Sequence, residues 1–329
     1  MKFKGMLFTG AIITAIISVL YFLNFESSNA STENQNFIEY VNAEQFGANG
    51  DDQKDDSKAI QRAIDYSHTE KIGKVKLVGN KNYILKKGLI LKEEVELELG
   101  QSTRLFIDGD FRVIEVEKDA SITNGIFEIT NKNFDSEVIY LDGKQKFWSW
   151  ERTRINNVAI INSSGSKKGT GISLFSGGAD QFISFVNFQD INISGLKTGV
   201  RMEAKPPPKD EKGYSFINGN RFTNLTLDGC INCIDIIGSI TIPNECSGNE
   251  FKGIQVQTTK DTESVFKVNG SDNQIEAMIW DVHLLGDRNR NLISFTSQST
   301  GNSLFSNLES TYIKDEGIYN YYTSPRDEN

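Results

Sequence analysis

Hydrophobic residues recur with one internal spacing in five segments of the chain. Each segment carries apolar residues at its second, fifth and seventh positions and mostly polar residues between them. Alternation with a period of two is typical of a β-strand that buries one face. The second-position residues are separated by 33, 34, 29 and 24 positions, and they are Ile155, Phe188, Phe222, Phe251 and Ile275.

A second alternating segment follows each of these, and the first two read "TGISLF" and "TGVRMEA". An asparagine precedes the later repeats, at positions 220, 249, 273 and 302. Recurrence at periods of this length indicates stacked structural repeats. The pattern therefore predicts an all-β, single-stranded parallel β-helix, in which alternate side chains face the core and water. A β-sandwich is the alternative, but it does not require apolar columns aligned from repeat to repeat.

The periodicity differs near the start of the domain, in "DDSKAIQRAID". Asp55, Asp56 and Ser57 are residue types that favour a helix N-terminus. Ala59, Ile60, Ala63 and Ile64 then fall on one helical face. We expect an amphipathic helix over about residues 57–67 that covers one end of the coil, because a solenoid needs capped ends.

The stretch that contains this helix, "NAEQFGANGDDQKDDSKAIQRAID", resembles the N-terminal signature of the pectate-lyase-like superfamily, in the branch of polygalacturonase-related proteins and phage tailspikes. It departs from that signature at Asp52, where glycine is usual, and at Ser57, where threonine is usual. The resemblance implies a right-handed parallel β-helix with an N-terminal capping α-helix. The matching residues are Phe46, Gly47, Ala48, Gly50, Asp51, Asp55, Asp56, Ala59, Ile60 and Gln61.

The catalytic residues of that superfamily cannot be transferred. The polygalacturonase pattern of Asn-Thr-Asp, Asp-Asp, Gly-His-Gly and Arg-x-Lys does not occur in the sequence. The pectate-lyase pattern, clustered acidic calcium ligands with Arg-Pro-x-x-Arg, does not occur either. The resemblance therefore informs the architecture and leaves the chemistry to the residues themselves.

The N-terminus carries a targeting signal. Lys2 and Lys4 precede an uncharged run over residues 5–25, which is long enough to span a bilayer. We interpret residues 1–30 as an uncleaved membrane anchor or a signal peptide, 31–36 as a polar tether, and 37–329 as the β-helix domain. Either interpretation places the domain outside the cytoplasm, because the positive flank stays inside.

The composition of the chain restricts the classes of ligand that it can bind. The formal net charge of −9 argues against nucleic acid and means that an anionic substrate needs a local basic groove. With two histidines in the chain, we expect no metal site and no cofactor. Cys230, Cys233 and Cys246 are interpreted as small buried residues rather than as a redox or zinc site. The oligomeric state is left open.

Outward strand positions hold the candidate chemistry. Asp228 and Asp281 both occupy the eighth position of their repeats, two coils apart, which puts them about 9–10 Å from each other. That separation approaches the range of an inverting carboxylate pair, although an aspartate at a strand end also serves turn hydrogen bonds. Arg201 and Asp235 face outward on neighbouring coils, with Glu203 beside them. They form either a surface ion pair or a grip on a sugar carboxylate.

Two further groups are candidate sugar contacts. Trp148 and Trp150 lie two residues apart in the polar segment "KFWSWERTR", where indole faces can stack on sugar rings instead of packing in the core. His283 lies in the polar segment "WDVHLLGDRNRN", and it is either structural or a substrate contact.

These features together predict an extracytoplasmic carbohydrate-active protein. The first hypothesis is a glycoside hydrolase or polysaccharide lyase that degrades a cell-envelope or environmental polysaccharide. The alternative is a non-catalytic cell-surface β-helix that binds glycan or serves as a structural spike. A polysaccharide is the expected partner in both cases, and the membrane is a second partner if the N-terminal segment is uncleaved.

Overall fold

The computed structural model describes residues 39–324, and of Glu151 only the backbone. The expected anchor or signal segment and the tether, residues 1–36, lie outside this range, so the predicted domain boundaries stay predictions. Within the described range, no helix has the length and apolar character needed to cross a membrane.

Strands dominate residues 39–324, and one α-helix in this range, α1, covers Ser57–Thr69. The first half contains β1 (Val41–Asn42), β2 (Lys74–Leu77), β3 (Asn82–Leu85), β4 (Leu89–Leu91), β5 (Glu96–Leu99), β6 (Arg104–Ile107), β7 (Ile114–Val116), β8 (Ser121–Thr123), β9 (Ile126–Ile129), β10 (Glu137–Asp142), β11 (Arg154–Asn162), β12 (Thr170–Ser176) and β13 (Gln181–Ser184). The second half contains β14 (Asn187–Ser194), β15 (Thr198–Ala204), β16 (Ser215–Asn218), β17 (Arg221–Asp228), β18 (Asn232–Ile237), β19 (Asn244–Ser247), β20 (Glu250–Gln257), β21 (Ser264–Ser271), β22 (Gln274–Trp280), β23 (Ile293–Thr300), β24 (Ser303–Ser306), β25 (Ile313–Asp315) and β26 (Tyr321–Thr323).

The described strands form two curled sheets, and the strands pair in parallel with their equivalents one coil away. In the first sheet β11 pairs with β14, β14 with β17, and β17 with β20. In the second sheet β10 pairs with β12, β12 with β15, and β15 with β18. Because each coil contributes to both sheets in turn, the chain forms the predicted right-handed parallel β-helix.

A left-handed backbone residue bends the long strands of the first sheet into two faces. The bend residues stack in register, with φ of 54° at Asn157, 54° at Asp190 and 56° at Asn224, and Gly253 continues the column at 67°. Asparagine, aspartate and glycine tolerate this conformation better than other residues. The fourth position of the sequence repeat is therefore a corner of the coil.

β22 lacks this corner residue, and the missing position shifts its register against β20. Phe251 pairs with Ile275, but Ile254 pairs with Ala277, so one residue of β22 spans the place of two. As a result Ala277 and Ile279 are buried, whereas the sequence pattern had assigned Met278 and Trp280 to the inner positions. The predicted alignment of the fifth repeat is wrong beyond this point.

The predicted second-position column is confirmed as a continuous inner stack. Ile155 pairs with Phe188, and the same column continues through Phe222 and Phe251 to Ile275. The rings of Phe188 and Phe222 are nearly parallel with centroids 4.5 Å apart, and those of Phe222 and Phe251 are 4.8 Å apart. All five side chains are buried.

The asparagines before the repeats form a second inner column, joined by hydrogen bonds. The Asn220 side-chain Nδ2 donates to Asn249 Oδ1, and Asn249 Nδ2 donates to Asn273 Oδ1, each at 3.0 Å. Asn273 repeats the contact with Asn302 at 2.9 Å. Each oxygen also accepts the backbone N–H of the preceding asparagine, so these buried amides satisfy one another along the coil axis.

α1 is the helix expected near residues 57–67, and it packs its apolar side against the first coil. Ala59, Ile60, Ala63 and Ile64 are buried, and the helix contacts β1, β2 and β4. Asp56 is the N-cap residue, but its carboxylate binds elsewhere. It accepts the backbone N–H groups of Asn49 at 2.7 Å and Ile84 at 2.9 Å, which ties the acidic turn to β3.

Candidate functional site

The outer face of the second sheet carries a column of polar side chains. Tyr140, Ser173, Arg201, Asp235 and Lys267 follow one another in register on β10, β12, β15, β18 and β21. The residues that alternate with them along each strand are buried aliphatic and aromatic side chains. Strand alternation therefore directs this polar set away from the core.

A parallel column lies two residues further along the same strands. It places Asp142, Phe175 and Glu203 on successive coils, followed by Ile237. The two columns border a groove of about 530 Å³. Its walls include Arg112, Glu137, Tyr140, Phe175, Arg201 and Glu203.

Two cations hold the Glu203 carboxylate at the wall of this groove. Arg201 Nη2 lies 3.0 Å from Oε2, and Lys205 Nζ lies 3.3 Å from Oε1. The Glu203 side chain keeps 17% of its surface exposed. The sequence suggested an ion pair between Arg201 and Asp235. The structure instead pairs Arg201 with Glu203, which lies on the same strand.

Asp235 occupies the position beside Arg201 on the next coil. Burial raises the pKa of its carboxyl, and the charges of Arg201 and Lys267, which flank it in the column, lower the pKa by less. A carboxyl group with a raised pKa keeps its proton to higher pH. Glu203 and Asp235 therefore face the same surface in different environments, one ion-paired with two cations and one desolvated.

Tyr140 lines the groove on β10, two strands from Glu203. The guanidinium carbon of Arg112 lies 3.3 Å from the ring centroid, and Arg112 also pairs with Glu115 at 3.2 Å and Glu137 at 3.5 Å. Burial and the neighbouring Asp142 raise the pKa of the Tyr140 hydroxyl, which lies 3.3 Å from Asp142 Oδ2 and donates to it. Tyr140 accordingly serves as a hydrogen-bond donor and not as a base.

The predicted catalytic pair lies outside this groove, with Asp228 at the end of β17 in the first sheet and Asp281 directly after β22. Asp228 pairs with Gln257, but the next residue in the column is Trp280 and not Asp281. The cause is the missing corner residue of β22, which moves Asp281 one position past the column. Its carboxylate accepts a hydrogen bond from the Gln257 side chain instead.

His283 is exposed in a short 3₁₀ turn over Val282–Leu284. Its Nδ1 lies 4.0 Å from Asp281 Oδ1, and its backbone oxygen accepts a hydrogen bond from Arg288. The groove of Glu203 does not include it. Its predicted substrate contact stays a prediction.

Trp148 and Trp150 lie on a third surface, in the loop before β11. Trp148 packs edge-on against Phe182 and Phe185, with centroid distances of 5.6 and 5.0 Å. Trp150 contacts Trp148 at 5.4 Å and is 72% exposed. Neither indole lines the groove of Glu203.

The cysteines are buried, unpaired thiols. Burial raises the pKa of Cys230 and Cys246 to about 12 and raises that of Cys233 as well, so all three are unreactive at neutral pH. Among residues 39–324, no group of three His, Cys, Asp or Glu side chains has the arrangement of a metal site.

Sequence reasoning missed Arg112, Tyr140, Asp142, Phe175 and Lys205. A signal was present in part, because "EVIYLD" over Glu137–Asp142 alternates Tyr140 and Asp142 with buried aliphatic residues. The apolar repeat of the first sheet begins at Arg154, so the sequence pattern does not match the coil of β10 to those of β12 and β15. Arg112 lies outside any described strand and carried no signal in the pattern.

The fold and the groove define a parallel β-helix protein. The family described as "Rhamnogalacturonase A/epimerase, pectate lyase-like" matches residues 40–256, more than half of the chain. The chain belongs to this family. No curated protein sequence matches it significantly.

Several solved structures are similar to it. ORF18 of Geobacillus virus E2 is 14% identical with a TM-score of 0.48; the match covers 94% of this chain and 64% of the viral one. The A-module of the Azotobacter vinelandii mannuronan C-5 epimerase AlgE4 is 15% identical with a TM-score of 0.33, over 86% and 96% of the two chains. A tailspike mutant of E. coli bacteriophage HK620, in complex with pentasaccharide, is 9% identical with a TM-score of 0.32, over 86% and 78%.

Proposed function

We propose that this protein is an extracytoplasmic polysaccharide-degrading enzyme that cleaves a glycan in the groove of the second sheet. The observation that carries the proposal is the contrast between Glu203 and Asp235 on neighbouring strands. Pairs of titratable groups with opposed environments are typical of acid–base chemistry. Membership of a family named for a rhamnogalacturonase and an epimerase supports a carbohydrate substrate.

The spacing of the two Cα atoms, those of Glu203 and Asp235, is compatible with inverting hydrolysis. The two residues stand on adjacent strands and are offset by two residues, since Asp235 pairs with Arg201 and Ile237 with Glu203. With about 4.8 Å between strands and about 3.3 Å per residue, their Cα atoms are roughly 8 Å apart. Inverting enzymes separate their carboxyl groups by about 6.5–9.5 Å to make room for water.

Each residue then has a role that follows from its surroundings. Asp235, whose carboxyl pKa is raised by burial, is the proposed general acid and donates a proton to the leaving glycosidic oxygen. Glu203, paired with Arg201 and Lys205, is the proposed general base and removes a proton from the attacking water. The groove offers cationic and carboxylate groups to a sugar in equal number, and they are Arg112, Lys197 and Arg201 beside Asp135, Glu137 and Glu203. We propose an envelope or environmental polysaccharide as the substrate.

Product analysis tests this function. The chain from residue 31 onward is incubated with acidic and neutral polysaccharides, and reducing ends and the absorbance of unsaturated products are followed. We expect reducing ends without unsaturation, and a loss of at least about a hundredfold in Asp235→Asn and in Glu203→Gln. Asp228→Asn and Asp281→Asn are the matched controls, because the carboxylates that they remove lie outside the groove.

Each alternative has its own result. Loss of activity in Asp228→Asn and Asp281→Asn, with native rates in Asp235→Asn and Glu203→Gln, would move the chemistry to the first sheet. Unsaturated products would identify a lyase, with Arg201 or a lysine as the base. Binding without product on every substrate would favour the second candidate, a non-catalytic cell-surface glycan binder, which the exposed Trp150 also supports.

A further inference from the structure

A second groove lies on the outer face of the first sheet, where β8, β11 and β14 run side by side. It encloses about 460 Å³. Its walls come from these strands and from the loop that precedes β11, and they include Thr123, Arg152, Arg154, Asn156, Asn187 and Gln189. This groove shares no residue with the groove of Glu203.

The second groove is positively charged, although the chain as a whole is acidic. Arg152 and Arg154 are both exposed, and among the side chains that the structure describes no carboxylate lies within ion-pair distance of either guanidinium. Glu96 also lines the groove, but Lys74 lies 3.4 Å from it and Thr123 donates to it at 2.8 Å. Two guanidinium groups are therefore available to an anion.

An exposed aromatic surface stands at the rim. Trp150 follows Ser149 and precedes Arg152 by two residues, and both of those line the groove. Trp148 supports Trp150 from one side and is itself fixed against Phe182 and Phe185. An indole that is rigidly supported and largely exposed offers a flat apolar face at little cost in side-chain entropy.

The floor of the groove is made of amides and a hydroxyl. The Oδ1 atom of Asn156 is buried and accepts no hydrogen bond from any described residue. A buried amide oxygen without a donor costs free energy, and Asn156 is one of the residues that line the groove. Asn187 and Gln189 add amide groups on β14, and the Thr123 hydroxyl, which donates to Glu96, adds an acceptor on β8.

We propose that this second groove is a binding subsite for a carboxylated oligosaccharide, distinct from the site of cleavage. The guanidinium groups of Arg152 and Arg154 bind the sugar carboxylate, Trp150 stacks on a ring face, and the amides bind hydroxyls. The proposal rests on the polysaccharide partner of the proposed function but does not require hydrolysis. The subsite retains an acidic glycan on the surface while the other groove acts on it.

Calorimetric titration of the Glu203→Gln chain tests the subsite, because cleavage is then suppressed. The probes are oligogalacturonate as the acidic sugar and a maltooligosaccharide as the neutral one. We expect oligogalacturonate to bind, and Trp150→Ala and Arg154→Ala each to weaken binding about tenfold. Arg221→Ala is the matched control, since Arg221 occupies the same outward column as Arg154, two strands further, outside the groove.

The outcomes separate this proposal from the proposed function. Native affinity in Trp150→Ala and Arg154→Ala, equal affinity for the neutral probe, or no binding of the acidic probe would each overturn the subsite. Tight binding that depends on Trp150 together with no product from the native chain would overturn hydrolysis and leave the subsite standing. A fluorescence change of Trp150 on binding, lost in Trp150→Phe, provides a second readout.

Discussion

The interior of the coils repeats the same residue types, whereas the exterior of the same coils brings different residue types together. Inside the first sheet, like residues stack on like: phenylalanines at 188, 222 and 251, and asparagines at 220, 249, 273 and 302. Outside the second sheet, unlike residues meet: Tyr140, Ser173, Arg201, Asp235 and Lys267 form one column. Repetition marks what the coil needs in order to form, and departure from it marks where function is to be sought.

The largest effect is expected from breaking the aromatic stack. Phe222→Ala removes a fully buried ring that lies between two parallel rings, and we expect a loss of about 4 kcal/mol in the free energy of unfolding. Urea denaturation measures it. Phe305→Ala is the control, because Phe305 is 55% exposed on β24. Equal losses of unfolding free energy in the two variants would contradict a stabilising role for the stacked inner rings.

The second largest effect is expected in the inner column of hydrogen-bonded asparagines. Asn249→Ala deprives the Asn220 backbone N–H of its acceptor and the Ile217 carbonyl of a donor, and we expect a loss of about 3 kcal/mol. The exposed Asn289→Ala should change stability little in the same urea denaturation experiment. Similar losses of unfolding free energy in Asn249→Ala and Asn289→Ala would contradict a stabilising role for the column of asparagines.

A smaller effect is expected at the corner between the two faces. Asn224 has φ of 56°, and Asn224→Ala should cost about 1–2 kcal/mol because of the left-handed backbone. Asn224→Gly should cost less, since glycine adopts this φ without strain. Thermal unfolding of the two variants beside Asn192→Ala checks the ranking. An alanine that is tolerated as well as glycine would contradict the assignment of this position as a corner.

The smallest effect concerns the exterior, and it depends on pH. Because the pKa of Asp235 is raised in the folded state, ionising it costs stability as pH rises above its ordinary value of 3.8. Asp235→Asn should therefore be slightly more stable than the native chain at neutral pH, and this advantage should vanish at lower pH. Urea denaturation across the pH range measures the difference.

Arg201→Ala is a second test of the raised pKa of Asp235. It removes a charge that lowers the pKa of Asp235, so the carboxyl should titrate at still higher pH in that variant. Carbon-detected NMR of the aspartate side chains follows the titration. An Asp235 that titrates at or below its ordinary value in the native chain would contradict the contrast with Glu203 on which the proposed acid–base pair depends.

Particular residues show how far sequence reasoning reached. Phe188, Phe222 and Phe251 were placed correctly, since an apolar residue at each repeat had to face the core. Arg201, Glu203 and Asp235 were assigned to one outer surface, because a period of two fixes the side to which a strand residue points. The pairing of Arg201 with Glu203 was not predicted, because rotamers and neighbouring cations such as Lys205 decide it.

The placement of Asp281 shows where the reasoning stopped. Counting residues carries a register forward only while every coil has the same number of corners, and β22 has one residue fewer than β20 between paired positions. Nothing in "QIEAMIWD" marks the deletion, since Met278 and Trp280 satisfy the apolar pattern as well as Ala277 and Ile279 do. The register becomes clear only in the structure, where Ala277 and Ile279 are buried.

The sequence alone determined that this chain coils into a parallel β-helix, since that rests on apolar side chains recurring once per coil, a local property of the residues. Only the tertiary structure decided which outer side chains share a groove. That depends on strand register, on corners such as Asn157 and Gly253, and on residues outside the strands such as Arg112. Side chains that are distant along the chain, including Tyr140 and Glu203, come together only when successive coils stack about 4.8 Å apart.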